Sequence, residues 1–224
     1  MKELTLEVGY TDAQGTVHRE VVFGKRLLGA DLFEIDEHPL AVLKTNREHL
    51  FLTRAITKFG DLKMPVAPTV FLALDSIDRD DLVEAYNQLE GAGSDGRRPE
   101  ALTDRTLRLG DGLTMGGVVY DVVEFGVRLT GKDYVEADQQ ELDASRRAFY
   151  LVGRQVSRLS QTEGDATLSG PLTLEMMATM HVSDLYALRG GSEVWRQSFR
   201  RSRKDLQKDD GRDGVRTDGG DGSE

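Results

Sequence analysis

Apolar and polar residues alternate at the start of the chain. Leu4, Leu6, Val8 and Tyr10 are separated by Thr5, Glu7 and Gly9. A period of two puts the apolar set on one face, which predicts a half-buried strand. TDAQGT (11–16) interrupts the pattern with turn residues, and VHREVVFGKRL (17–27) resumes it. Residues 3–28 are therefore expected to form an antiparallel hairpin.

The period then changes. GADLFEIDEH (29–38) predicts a short helix that Pro39 ends or displaces. KTNREHLFLTRAITKFG (44–60) places Leu52, Ala55, Ile56 and Phe59 at i, i+3, i+4 and i+7, which predicts one amphipathic helix. Thr45 with Glu48 fits a capping box at its start, and Gly60 fits its stop. A third helical region, TVFLALDSIDRDDLVEAYNQLEG (69–91), carries a stripe of Leu82, Ala85, Tyr86 and Leu89 and ends at Gly91.

The same succession recurs about a hundred residues later. VVFGKRLLGADLFEID (21–36) and VEFGVRLTGKDYVEAD (123–138) share nine of sixteen positions at a constant offset of 102. The flanking strand region repeats as TLRLGDGLTMGGVVYDVVEFGVRL. The second helix repeats as SRRAFYLVGRQVSRLS at an offset of 100, with Val152, Val156 and Leu159 on its apolar face. The third repeats as GPLTLEMMATMHVSDLYALRGG, where an offset of 103 pairs Phe71 with Leu174, Leu74 with Met177, Ile77 with Met180 and Leu82 with Leu185. The expected fold is α+β: two tandem copies of a small module, each a β-hairpin followed by about three short helices, plus a disordered C-terminal tail. The boundaries are 1–92 for the first module, 93–101 for a Gly-rich linker and 102–190 for the second module. A basic helical extension (191–205) and an acidic tail (206–224) follow.

Composition narrows the function. Of 224 residues, 39 are acidic and 29 are Lys or Arg, giving a net charge of −10. That balance disfavours nucleic acid and anionic membranes, because phosphate attraction needs clustered cations. There is no cysteine, hence no disulfide scaffold and no thiolate chemistry. No apolar run approaches the ~20 residues of a bilayer span, and the first residues do not read as a signal peptide. A cytoplasmic protein is expected.

Candidate chemistry is sparse. His18, His38, His49 and His181 are scattered and are expected at the solvated surface. GDGLTMGG (110–117) does not fit a phosphate loop and reads as a hairpin turn. The Asp/Gly-rich tail lacks the ligand spacing of a calcium loop. Three carboxylates recur, Asp31/Asp133, Glu34/Glu136 and Asp36/Asp138, and could suggest acid–base pairs. Asp31 and Asp133, however, lie just after a glycine at a helix start, where a carboxylate is expected to cap exposed N–H groups, with Arg26 and Arg128 near enough to pair. No catalytic, cofactor or metal residue is assigned, and the expected class is not an enzyme. Met176, Met177 and Met180 read as core packing or, more sharply, as an adaptable partner groove. Trp195 and Phe199 lie four apart on a predicted helix beside Arg196 and Arg200. They either dock on the second module or present an aromatic anchor with an Arg rim to a partner.

The order of these features carries a resemblance. Each copy has a hairpin, then R-L-x-G-x-D followed by E-x-D, an Arg-containing helix, and a helix–Asp–helix ending. The carrying segments are LLGADLFEID with DSIDRDDLVEAYNQL, and LTGKDYVEAD with ATMHVSDLYAL. The chain resembles, up to about residue 190, the tail assembly chaperones of tailed bacteriophages, in particular the tail assembly protein of Mu-like contractile phages. That family usually has a single copy. The resemblance implies a non-enzymatic protein of virion assembly in the host cytoplasm, free of cofactors. Its partners would be the helical tape-measure protein and tail-tube subunits, and a homo-oligomer is compatible with it. The alternative is a structural tail-tube or baseplate component retained in the virion.

Overall fold

The structure, a computed structural model, describes residues 1–91 and 96–209, and from residue 200 onward the backbone alone. Strands β1 (Lys2–Thr11) and β2 (Val17–Phe23) form the expected first hairpin. Its turn closes on Asp12, whose carboxylate accepts the Gln14 and Thr16 N–H groups, each at 2.9 Å. Helix α1 (Gly29–Glu37) follows, then a 3-10 turn (Pro39–Val42), helix α2 (Lys44–Ala55), strand β3 (Ile56–Phe59), and helices α3 (Pro68–Leu72) and α4 (Ser76–Gly91). β3 adds to β2, giving a three-stranded antiparallel sheet.

In the second half, strands β4 (Glu100–Ala101), β5 (Thr106–Met115) and β6 (Val118–Phe125) precede helices α5 (Gly131–Gln139) and α6 (Ala144–Gln155). Strands β7 (Val156–Ser160) and β8 (Thr167–Ser169) and helices α7 (Leu174–Ala178) and α8 (Val182–Asp209) complete it. This half shares with the first the succession hairpin, two helices, strand, two helices, with two further strands, β4 and β8, and among the described residues no 3-10 turn. Its sheet has five antiparallel strands in sequence order. The β5–β6 connection is the two residues Gly116 and Gly117, at φ +58° and +80°. Both centres of a tight hairpin turn with primed geometry need positive φ, which glycine adopts without steric cost.

Several expectations are corrected. The predicted helix over 44–60 stops at Ala55, and Ile56–Phe59 is a strand. Ile56 and Phe59 are both buried because a register shift at Val22/Phe23 turns both ends of β3 inward. That spacing of three imitates a helix face. Val156 and Leu159 sit on β7 for the same reason. Leu43, not a Thr45 box, is the N-cap of α2, and no side chain caps it. The GDG of residues 110–112 lies within β5, so only Gly116–Gly117 is turn.

The last two helices correspond at an offset of 106, not 103: α3 and α7 start at Pro68 and Leu174, α4 and α8 at Ser76 and Val182. Phe71 then matches Met177 and Leu82 matches Leu188, and all four are fully buried. The 103 pairing instead matched Ile77, 57% exposed, with Met180, fully buried.

The module boundaries also shift. Glu100 and Ala101, expected in the linker, pair with β5, and residues 92–95 lie outside the described ones. The basic segment 191–205 is no separate extension, since α8 continues unbroken through it to Asp209. Of the expected disordered tail, residues 210–224 lie outside the described residues. A single apolar cluster runs through both halves. Phe33 of α1 meets Phe149 of α6 edge-on at 5.7 Å. Backbone bonds bridge the halves, from Gly29 N–H to the Met180 carbonyl (2.7 Å) and from Val182 N–H to the Leu27 carbonyl (3.0 Å). A Cβ on Gly29 would stand 2.2 Å from the Met177 carbonyl oxygen, so this contact demands glycine.

Candidate functional site

The recurrent carboxylates form a structural frame. Asp31 and Asp133 are the third residues of α1 and α5 and accept the N–H of Leu28 (3.0 Å) and Thr130 (2.7 Å) respectively. Those N–H groups have no helical partner, so a carboxylate there both caps and meets the positive helix end. The Thr130 N–H and hydroxyl, with Arg154, hold Asp133 at about 2, well below the usual carboxylate range. Their arginine partners are Arg54 and Arg154, which also reach Glu34 and Glu136. Arg47 and Arg147 bind Asp36 and Asp138. Arg26 and Arg128, the expected partners, go elsewhere: Arg26 to Asp111, and Arg128 over the Phe199 ring at 3.8 Å.

A second device recurs, and no sequence pattern announced it. Between Thr5 and Tyr10, and again between Arg108 and Leu113, four residues of the first strand face one of the second. Such a bulge takes backbone donors out of the sheet ladder. A buried aspartate collects them. Asp78 accepts from Glu7, Val8 and Gly9. Asp184 accepts from Gly110 (2.7 Å), Asp111 (3.1 Å) and Gly112 (2.9 Å). Both carboxylates are fully buried in the first turn of the last helix of their half. Each ties that helix to the bulge of its own sheet. Burial pushes Asp184 upward, against the three N–H groups that hold its charge.

Each half also has a cleft between its long second helix and its last helix. In the first half it measures about 170 Å³ and is lined by Phe51, Leu52, Val83 and Tyr86, with Tyr186 of α8 entering from the other half. In the second half it measures about 340 Å³. There Leu151 and Val152 stand where Phe51 and Leu52 do, and Arg189 and Ser192 stand where Val83 and Tyr86 do. Ala148 replaces Glu48 and, with Ala144, leaves an open floor that continues toward α2 and the 3-10 turn as a space of about 400 Å³. Arg147, Arg189 and Arg196 line this cleft. Arg147 is committed to Asp138, whereas Arg189 and Arg196 have no ion-pair partner among the described residues.

The residues singled out from sequence divide accordingly. Met177 and Met180 are fully buried against α1 and form no groove, and Met176 is partly buried on the same core. Trp195 is 6% exposed and Phe199 packs on its ring at 4.1 Å, so this pair is packing rather than anchor. Arg196 does reach a cleft, while the Arg200 side chain lies outside the described ones. The histidines are not all at the surface. His18 is buried and bonded to Asp12 at 3.0 Å. His49 is buried against Phe71, and burial lowers its pKa. Among the described residues, no group of His, Asp and Glu could hold a metal ion, and no helix is long and apolar enough to cross a membrane.

One buried polar knot joins the halves. Arg26 binds Asp111 at 2.5 Å, the Glu90 carbonyl at 3.0 Å and the Ser183 hydroxyl at 3.0 Å. Glu90 accepts the Leu27 N–H at 2.6 Å through one oxygen, and its other oxygen is buried with no partner among the described residues. Burial, assisted by Asp111 and Asp31, pushes Glu90 up to about 7 against the pull of the Leu27 N–H and Arg26. A raised carboxyl pKa adds stability that is complete below the unfolded value and lost as pH rises through the folded value. The loss therefore runs between about pH 4.5 and 7. Glu90→Gln, which cannot ionise, is expected to gain on the wild type by about 2 kcal/mol between pH 5 and pH 8. Denaturant titrations of both proteins at the two pH values measure this, and a constant difference would contradict it.

No protein-family model, curated protein or solved structure matches the chain.

Proposed function

We propose that the protein is a non-enzymatic tail assembly chaperone of a phage or prophage. It would be a tandem duplication that works in the host cytoplasm and holds a helix of the tape-measure protein. The resemblance of the two R-L-x-G-x-D and helix–Asp–helix segments motivates the family, and the repeated order of elements supports the duplication. The observation that carries the binding role is the α6–α8 cleft. Its alanine floor lets a helix backbone come close, and its apolar wall of Leu151 and Val152 suits an amphipathic face. Arg189 and Arg196 stand two turns apart on α8 with no ion-pair partner among the described residues, which favours a helix with acidic flanks.

The test is co-expression with helical fragments of the very long reading frame expected beside its gene. The chaperone should keep the fragment soluble and co-purify with it. Arg189→Glu/Arg196→Glu should weaken that complex at least about tenfold, roughly 1.4 kcal/mol, with little change in thermal midpoint, because both side chains are at the surface. An aggregated fragment, or unchanged affinity in the double variant, would remove the reading.

A further inference from the structure

The contact between the two halves is a lock and key of which each half carries both parts. The first half offers the outer face of α1. The second half offers the start of α6, with α7 and the start of α8. Since both halves share the succession hairpin, two helices, strand, two helices, the second half has its own counterpart of the first surface on α5. The first half likewise has its own copy of the other surface, at the start of α2, on α3 and at the start of α4. Among the described residues, nothing covers either copy.

The exposures show it. Phe33, within the contact, is 4% exposed, whereas Val135 in the same place on α5 is 54% exposed. The Asp36 side chain is 11% exposed and that of Asp138 is 62% exposed. A Cβ on Gly29 would collide with the opposite half, whereas one on Gly131 would meet nothing within 4 Å. On the other side, Ile77 is 57% exposed and Leu72 is 61% exposed. They correspond to Ser183 and Ala178, and Ser183 is bonded to Arg26 across the halves.

We infer that a second copy of this chain covers these surfaces, the first half of one copy docking on α5 of the next as the two halves dock within a chain. The internal contact is the template. Its backbone bonds ask for no particular side chain, so Leu74 and Ser76 can take the parts of Met180 and Val182 toward Leu129 and Gly131. The Ser145 hydroxyl bonds Asp36 at 2.5 Å, and the corresponding pair is Thr45 with Asp138, again hydroxyl to carboxylate. Arg47 bonds the Tyr186 hydroxyl at 3.1 Å, and the corresponding pair is Arg147 with Asp80, which carry opposite charges. Charge agrees in sign, since Asp75, Asp80 and Asp81 edge the α3–α4 surface while Arg128, Lys132 and Arg147 edge the α5 surface. Such a contact joins two different faces, so it builds rings or open chains of copies rather than a closed two-fold pair.

The test uses the full chain and two surface variants, Ile77→Arg and Val135→Glu, each placing on one face the charge that its counterpart already carries. By light scattering on a sizing column, the wild type should exceed the 24.9 kDa of one chain. This should be seen at about 100 µM, where a transient interface is populated. Each variant alone should fall to one chain. Mixed in equal amounts they should form a pair, because each retains the face the other lacks. A monomeric wild type, a variant that still associates, or a mixture that stays monomeric would each overturn the inference. These variants leave Arg189 and Arg196 in place, so the result is independent of the tape-measure test.

Discussion

Asp184→Ala is expected to destabilise the protein by about 3–5 kcal/mol, although among the described residues Asp184 forms no ion pair with an arginine. Its carboxylate, fully buried, accepts three consecutive N–H groups from the bulge in β5. Alanine would leave all three donors buried without acceptors, and each such donor costs about 1–3 kcal/mol. Partial opening of the bulge to water recovers part of this. Asparagine does not repair the site. It offers one acceptor where two oxygens now serve three donors, and it aims its amide N–H toward another N–H. Asp184→Asn should therefore lose most of the same stability, while Asp143→Ala should lose only about 1 kcal/mol as an ordinary N-cap. Equilibrium urea titration of the three variants measures the order. A loss below about 1 kcal/mol in Asp184→Ala would mean the bulge is not held by this side chain.

That aspartate marks where the sequence stopped being legible. The hairpins, the α1 and α5 helices and their cappers could be read because each rests on neighbours in the chain. Period two needs only alternation, and Asp31 or Asp133 sits three residues from the N–H it binds. Asp78 and Asp184 are different. Their partners lie about seventy residues away, and a bulge has no period to detect. The misread helices have a similar cause. Ile56 and Phe59, three apart, look like one helix face, and only the bulge at Thr57, where their strand pairs with β2, shows that a strand can bury both.

The clefts were legible only in part. Arg196 was singled out by its place in a basic run, which says nothing of direction, and it does line the second cleft. Arg189 was missed because it falls outside that run, in LYALRGG, where its neighbours are uncharged. What distinguishes the two clefts is a set of exchanges between corresponding positions, Glu48 to Ala148, Val83 to Arg189 and Tyr86 to Ser192. The last two of these become visible only after the last helices are matched at 106 rather than 103 residues. A shift of three is nearly one helical turn, so apolar stripes align almost as well at either offset. Burial breaks the tie, because it asks which residues are covered rather than which are apolar.

Trp195→Ala is the second large effect, with an expected loss of about 3–5 kcal/mol. Trp195 and Phe199 share a face of α8, and the sequence allowed that face to point at a partner or at the core. The structure turns it inward. Trp195 is 6% exposed, packs edge-on against Phe199, and has the Arg105 guanidinium 5.1 Å from its ring. One turn earlier, Gly191 lies so close to Phe125 that a Cβ there would stand 2.9 Å from the ring, so α8 has little room to settle inward. Truncating the indole therefore leaves a cavity rather than a collapse, which is the costly case. The same substitution should leave binding of a tape-measure fragment, the partner we propose, within about twofold, provided the folded fraction is accounted for, because the cleft proposed to hold it lies on the face carrying Arg189, Ser192 and Arg196. Arg196→Ala should show the reverse, a stability change within about 0.5 kcal/mol and weaker binding. Thermal unfolding and fragment affinity measured on both variants separate the two faces of α8. A Trp195→Ala protein that kept its stability but lost the partner would return the aromatic pair to the interface.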